Sequence, residues 1–203
     1  MSWSLGETAA LALKAARGVG LPWGLAEEAA GAVFWLHQRG LPGISALCGY
    51  LDAYGKPATA TDAACPLIMG TALSDGTHPV PDHADDRIDL GIVKSPLLLL
   101  PFVATLPPGN IWLTAPGVDE RISRPADPPP DPWHSGWLRG SAPCQLRLGT
   151  GPQTIADAAD RARLPDQFAC CVERLTGYAH RTYAPATSQS RLAGAGAGLT
   201  DND

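Results

Sequence analysis

The stretch KAARGVGLPWGLAEEAAGAVFWLHQR, from Lys14 to Arg39, constrains the fold more than any other part of the chain. Two helical patterns meet in it across a short Gly-Pro connection, which forces a tight helix–helix corner. The first helix opens upstream at Ser4-Leu5-Gly6-Glu7, an S-x-x-E capping box in which Ser4 and Glu7 satisfy each other's free amides. Leu5, Ala9, Ala12, Leu13 and Ala16 then recur at helical spacing. Arg17 falls in the last turn, where a cation complements the helix dipole, and Gly18 or Gly20 can take the left-handed C-terminal position. Pro22 suits the first turn of a second helix, whose apolar face is Leu25, Ala29, Ala32 and Leu36. Trp35 lies to the side of that face, towards Glu28 and Arg39. Gly40-Leu41-Pro42 repeats the punctuation, and Ile44, Leu47, Cys48 and Leu51 mark a shorter third helix ending near Gly55. Residues 1–55 are therefore expected to form a three-helix unit.

From Cys65 the pattern changes. CPLIMGTAL, RIDLGIVK, LLLLPFVA, NIWLTA and CQLRLG are short apolar or alternating runs bounded by Pro, Gly, Asn and Asp, and they read as strands. Pro101 inside its run implies a bend, a bulge or an edge position. THPVPDHADD and SRPADPPPDPW between the runs read as loops. These strands do not alternate with helices of useful length, so a mostly antiparallel sheet is expected rather than a doubly wound parallel one. A last helix is expected from about Pro165 to Tyr183, with Phe168, Cys171, Val172, Leu175 and Tyr178 facing inward, before a Gly-rich tail. The fold class is α+β. Residues 1–55 form its helical unit and residues 56–203 its sheet, last helix and tail, in one compact domain.

A chain of 203 residues can bury a real core. Its net charge of -5 offers no electrostatic footprint for nucleic acid or an anionic membrane. The most apolar run, Pro96 to Leu106, is far shorter than the roughly 20 residues a membrane helix needs. MSWSLGE carries no basic leader region, and five cysteines show no disulfide or zinc spacing, so a cytoplasmic chain with reduced thiols is expected. Charged residues make up only 17%, while 20 Pro and 22 Gly imply a loop-rich surface that favours burial against a partner. A protein partner or homo-oligomer contact is expected through the Pro-rich loops and the tail.

Five groups of residues could carry chemistry. Arg17 at one helix end faces Trp23, Glu27 and Glu28 at the start of the next; it either pairs with the glutamates to fix the turn or holds a ligand carboxylate bidentately. His78, Asp82, His83, Asp85, Asp86 and Asp89 form a His/Asp cluster, and imidazole with carboxylates suits a divalent ion such as Zn or Mn. The alternative is a solvated acidic loop. Cys48, Cys65, Cys144, Cys170 and Cys171 read as small core residues, with Cys–His pairing to His134 or His180 left open by the sequence. Trp133-His134-Ser135-Gly136-Trp137 sets two indoles around a polar handle, as a pocket wall or as a packed loop. Arg191 with Gly194, Gly196 and Gly198 can cradle an anion with backbone amides, or belong to a docking tail.

The residues Ser4 to Glu7, Lys14 to Gly18 and Trp23 to Ala29 resemble a bacterial family of unknown function marked by an Arg-Gly-Ala motif near its start; here the motif reads Arg17-Gly18-Val19. The resemblance covers about the first third of the chain and implies a bacterial cytoplasmic protein, with no reaction. A fainter likeness is to the first helices of the type-2 malate/lactate dehydrogenases, in an Ala-rich helix ending in Arg-Gly, as at Arg39-Gly40. That family's Ser-His-Gly segment is replaced here by Leu41-Pro42-Gly43-Ile44. No cofactor is assigned. The leading expectation is an accessory subunit or small-ligand-binding protein. The alternatives are a small hydrolase or lyase acting on a carboxylate-bearing metabolite, and a metal protein built on His78 and His83.

Overall fold

The computed structural model of the chain describes residues 3–54, 63–83, 85–107, 111–115, 140–148 and 168–183. Three helices come first, α1 (Leu5–Gly18), α2 (Trp23–Gln38) and α3 (Gly43–Ala53). The capping box is formed: Glu7 Oε2 accepts from the Ser4 amide at 2.8 Å, and Ser4 Oγ accepts from the Glu7 amide at 3.2 Å. α1 buries a narrow face of Leu11, Ala12, Ala15 and Ala16, and small side chains there let its neighbours approach closely.

The two Gly-Leu-Pro turns are built alike. Gly20 (φ 98°) and Gly40 (φ 70°) take the left-handed position, and their amides donate to Arg17 and His37 respectively. The next amides, of Leu21 and Leu41, reach back to the carbonyls of Ala16 and Leu36, which closes a Schellman arrangement. Both leucines are buried. Of the two glycines that could have ended α1, Gly20 does so and Gly18 stays helical. Pro22 stands one position before the helix, as its N-cap.

Two expected strands are helices instead. CPLIMGTAL contains α4 (Pro66–Ser74), and LLLLPFVA contains a 3₁₀ turn (Pro96–Leu99) running into α5 (Leu100–Thr105). A short apolar run cannot by periodicity alone be told from a helix buried all round. Prolines decide both cases, because Pro66, Pro96 and Pro101 occupy first-turn positions where no amide is missed. Pro101 starts a helix and bends no strand. The left-handed Ser95 (φ 42°) turns the chain from the sheet into this segment.

The remaining runs are strands. β1 (Arg87–Lys94), β2 (Ile111–Thr114) and β3 (Ser141–Leu148) form an antiparallel sheet in the order β1-β3-β2. In β3, Ala142, Cys144 and Leu146 are buried while Ser141, Pro143 and Gln145 are exposed, which is the period-two pattern of a sheet with one face on the core. A proline in a central strand needs explaining. Pro143 lies opposite Ile92, whose carbonyl points away from β3 to accept from the Ala64 amide, so this pair exchanges no hydrogen bond. β2 reaches only Gln145 to Leu148, so Pro143 meets no demand for an amide from that side either.

The last helix, α6 (Ala169–Ala179), continues into a 3₁₀ turn (His180–Thr182). It lies against both α1 and α3. On α3, Asp52 pairs with Arg174 and accepts from Tyr178 Oη at 2.6 Å. On α1, contact is closest at Gly18, where a Cβ would stand 1.8 Å from the Tyr178 carbonyl oxygen. Buried side chains from Leu11 to Ala179 join in one hydrophobic cluster, with the helices and the inner sheet face contributing together. No described helix is long and apolar enough to cross a membrane.

Candidate functional site

The C-terminal ends of α1 and α6 meet at one corner, and the reason is local. α1 must stop at the Gly20 turn, while Gly18 admits the α6 backbone just before that stop. Each helix carries basic residues in its last turn or just beyond, where they complement the carbonyl end of the dipole: Arg17 on α1, His180 and Arg181 after α6. A cleft of about 540 Å³ opens between them, lined by Leu13, Lys14, Arg17, Trp23, Arg181 and Thr182.

Its side chains are held by aromatic and backbone partners. Arg17 Nη1 donates to the Leu21 carbonyl, and the guanidinium lies 4.8 Å from the Trp23 ring centre. That bond engages one of five N–H donors in the fork. Arg181 stacks on the Tyr178 ring at 4.8 Å, and Lys14 Nζ approaches Tyr183 Oη at 3.5 Å. Trp23 and Tyr183 are among the most exposed large apolar side chains described, at 61% and 56%. Among the described lining residues there is no carboxylate. Glu27 and Glu28 are exposed on α2, and among the described residues neither pairs with Arg17. The corner of Arg17 and Trp23 is thus a cation–aromatic stack. It is not an ion pair.

The structure brings Arg17 and Trp23 together with three residues that sequence reasoning did not single out: Lys14, Arg181 and Tyr183. Lys14 stands one turn before Arg17 on α1, and the signal of the other two is an Arg-Thr-Tyr run at the end of a helix far along the chain. His37 was also missed. It is buried at the end of α2, where its Nε2 accepts from the Ile44 amide at 3.0 Å and its ring meets Phe168 edge-on at 6.0 Å. That bond caps α3, which has no side-chain cap of the usual kind. Burial pushes the imidazole down to about 4, so the neutral ring is the acceptor at ordinary pH.

Of the expected metal cluster, His78, Asp82, His83, Asp85 and Asp86 lie on a loop and Asp89 stands in β1. Asp86 accepts from the amides of Asp82 and His83 at 3.3 and 3.1 Å, which shapes the loop backbone; a hydrogen bond with the Asp82 side chain, then these two amides, hold its carboxyl below the usual range. His83 stands 3.7 Å from Asp82, with both side chains over 70% exposed, while His78 Nδ1 contacts the Pro79 carbonyl. Among the described residues no three His, Cys, Asp or Glu side chains gather where they could hold an ion. Trp133, His134 and Arg191, the second Pro-rich loop and the Gly-rich tail lie outside the described residues.

Residues 3–77 match the profile of a family described as a protein of unknown function (DUF3726). The matched stretch runs from just before α1 through α4. It supports the expected likeness to a family of unknown function, and it includes Lys14, Arg17 and Trp23 but not Arg181 or Tyr183. No curated protein and no solved structure shows a significant match to the chain.

Proposed function

We propose that the protein binds a small carboxylate- or phosphate-bearing ligand in the cleft between α1 and the turn after α6. The observation that supports this reading most is the convergence of Lys14, Arg17 and Arg181, from two elements remote in sequence, on one open cleft. Helix dipoles explain why each cation is tolerated at its helix end. They do not explain three cations around a cavity with Trp23 and Tyr183 exposed at its edge. Guanidinium groups supply planar, bidentate recognition of an anion, and the rings offer a flat surface for its apolar part.

The hydrolase or lyase reading needs a proton-transferring group within reach of the bound anion. The described lining supplies two guanidiniums, an ammonium and a hydroxyl, but no carboxylate, imidazole or thiol. Holding and orienting an anion is therefore the better-supported chemistry. Arg17 and Gly18 each have a part in this reading: a cation for the cleft, and a missing Cβ that admits α6.

Calorimetric titration of the full chain with citrate and with pyrophosphate tests the proposal. Saturable binding is expected that weakens with added salt. Arg181→Ala, at an exposed position, is expected to weaken it roughly 10-fold or more, the worth of one charge-assisted hydrogen bond. Arg17→Lys keeps the charge but loses the fork, and should weaken binding by a smaller factor. Absence of saturable binding for both anions, or affinity unchanged in both variants, would overturn the proposal.

A further inference from the structure

A second cluster of reactive side chains lies at the other end of α6, away from the cleft. Cys171 occupies the third position of the 11-residue helix α6, and its sulfur lies 3.8 Å from Ser45 Oγ on α3. Cys48 sits one turn along α3 from Ser45, on the same face, because residues three apart on a helix are neighbours. Ser45 therefore brings the side of α3 that carries Cys48 up against Cys171, which makes the two thiols neighbours. Their exposures differ in a useful way. Cys171 is half-buried and open to a small reagent, whereas Cys48 is buried behind it.

The surroundings favour a thiolate at Cys171. Cys171 lies in the first turn of α6, and the N-terminal end of a helix dipole favours negative charge. Hydrogen bonds from Cys48, Ser45 and Cys170 act in the same direction and bring the Cys171 thiol down to about 6 against the opposing effect of burial. Cys48 moves upward, because it donates to Cys171 and is itself buried. An acidic, accessible thiol beside a protonated, shielded one is the arrangement of a nucleophile with a resolving partner.

We propose that Cys171 and Cys48 form a peroxide-responsive thiol pair, in which Cys171 attacks the oxidant and Cys48 resolves the product into a disulfide joining α6 to α3. The Cys171 thiolate attacks one oxygen of hydrogen peroxide, the O–O bond breaks, and Cys171 sulfenic acid and hydroxide result. Cys48 then loses its proton to that hydroxide and attacks the Cys171 sulfur. The S–S bond forms as the S–O bond breaks, and the departing hydroxide takes up the proton that Cys171 released on ionising. In sum two thiols lose two electrons, and one peroxide becomes two waters. Cys170 is a poor resolving partner despite being adjacent, since neighbouring helical side chains point about 100° apart.

Treatment of the full-length reduced protein with one equivalent of hydrogen peroxide, followed by alkylation and non-reducing peptide mass spectrometry, tests this. The expected product is an intramolecular Cys48–Cys171 cross-link, with the other three thiols alkylated. Cys170→Ser should form the same link. Cys48→Ser should leave a Cys171 sulfenic acid that dimedone traps, and Cys171→Ser should slow peroxide consumption roughly 10-fold or more, as expected when the thiolate-rich thiol is removed. Preferential oxidation of exposed Cys170, or a disulfide between two chains in place of the internal one, would overturn the proposal. Circular dichroism of each serine variant separates loss of folding from loss of reactivity.

Discussion

Gly18→Ala is expected to lower the stability of the whole protein by about 2–4 kcal/mol, at the upper end of the cost of overpacking a close contact. The new Cβ would stand 1.8 Å from the Tyr178 carbonyl oxygen and 2.7 Å from its carbon, both backbone atoms that cannot rotate aside. α1 and α6 must separate by an ångström or more, taking Tyr178 from the Asp52 carboxylate it donates to. The gain in helix propensity from Gly to Ala, about 1 kcal/mol, offsets only part of this. Gly31 supplies the control. It lies in the middle of α2, exposed, with nothing within 4 Å of a Cβ, so Gly31→Ala should stabilise by about 0.5–1 kcal/mol. Urea unfolding midpoints of the two variants should move in opposite directions. A Gly18→Ala protein as stable as the parent would show that α6 does not dock on α1 as described. Because Arg17 neighbours Gly18 and Arg181 follows Tyr178, the same substitution should also weaken anion binding.

The second large effect is a loss of stability in mild acid that traces to one imidazole. His37 titrates near 4 in the folded protein and near 6.5 when unfolded, because burial disfavours its charged form. The folded pKa is the lower of the two, so the unfolded chain binds more protons and stability rises with pH. This contribution is complete above about pH 6.5, is lost as the pH falls towards 4, and levels off below that. Its full size is about 3 kcal/mol, from a shift of roughly 2.5 pKa units at 1.36 kcal/mol each. Protonation would also turn the Nε2 acceptor into a donor facing the Ile44 amide, so α3 would lose its cap. His37→Gln keeps an acceptor with no titration, and it should flatten the pH dependence of urea unfolding between pH 6.5 and 4. A parent protein whose unfolding midpoint is the same at pH 7 and pH 4.5 would refute this role for His37.

Where the sequence could be read, the code was short-range. Ser4 and Glu7 cap α1 across three residues, and Gly20 and Gly40 end their helices through bonds that span at most five. Alternation in CQLRLG marked β3 because every second side chain meets the same core face, while in RIDLGIVK a register shift between Asp89 and Gly91 sets the buried Leu90 and Val93 of β1 three apart. The α+β class and the antiparallel pairing followed from those runs. The failures at CPLIMGTAL and LLLLPFVA have a common cause, since elements surrounded by core on all sides lose the polar stripe that announces their period. Prolines at Pro66, Pro96 and Pro101 were the overlooked signal, each fitting a helix start better than a strand.

Sequence alone determined that Arg17 and Trp23 would share a corner, because the four-residue connection from Val19 to Pro22 leaves them no other course. It could not determine what faces them. Arg181 and Tyr183 lie more than 150 positions further on, and they reach Arg17 and Lys14 only because Gly18 lacks a side chain and Asp52 holds α6 in place. Cys48 and Cys171 become neighbours for the same reason, and Phe168 on the way into α6 covers the ring of His37. Helix ends and strand periods are written in neighbouring residues. A site assembled from several elements is set by packing between surfaces, which only the tertiary structure decides.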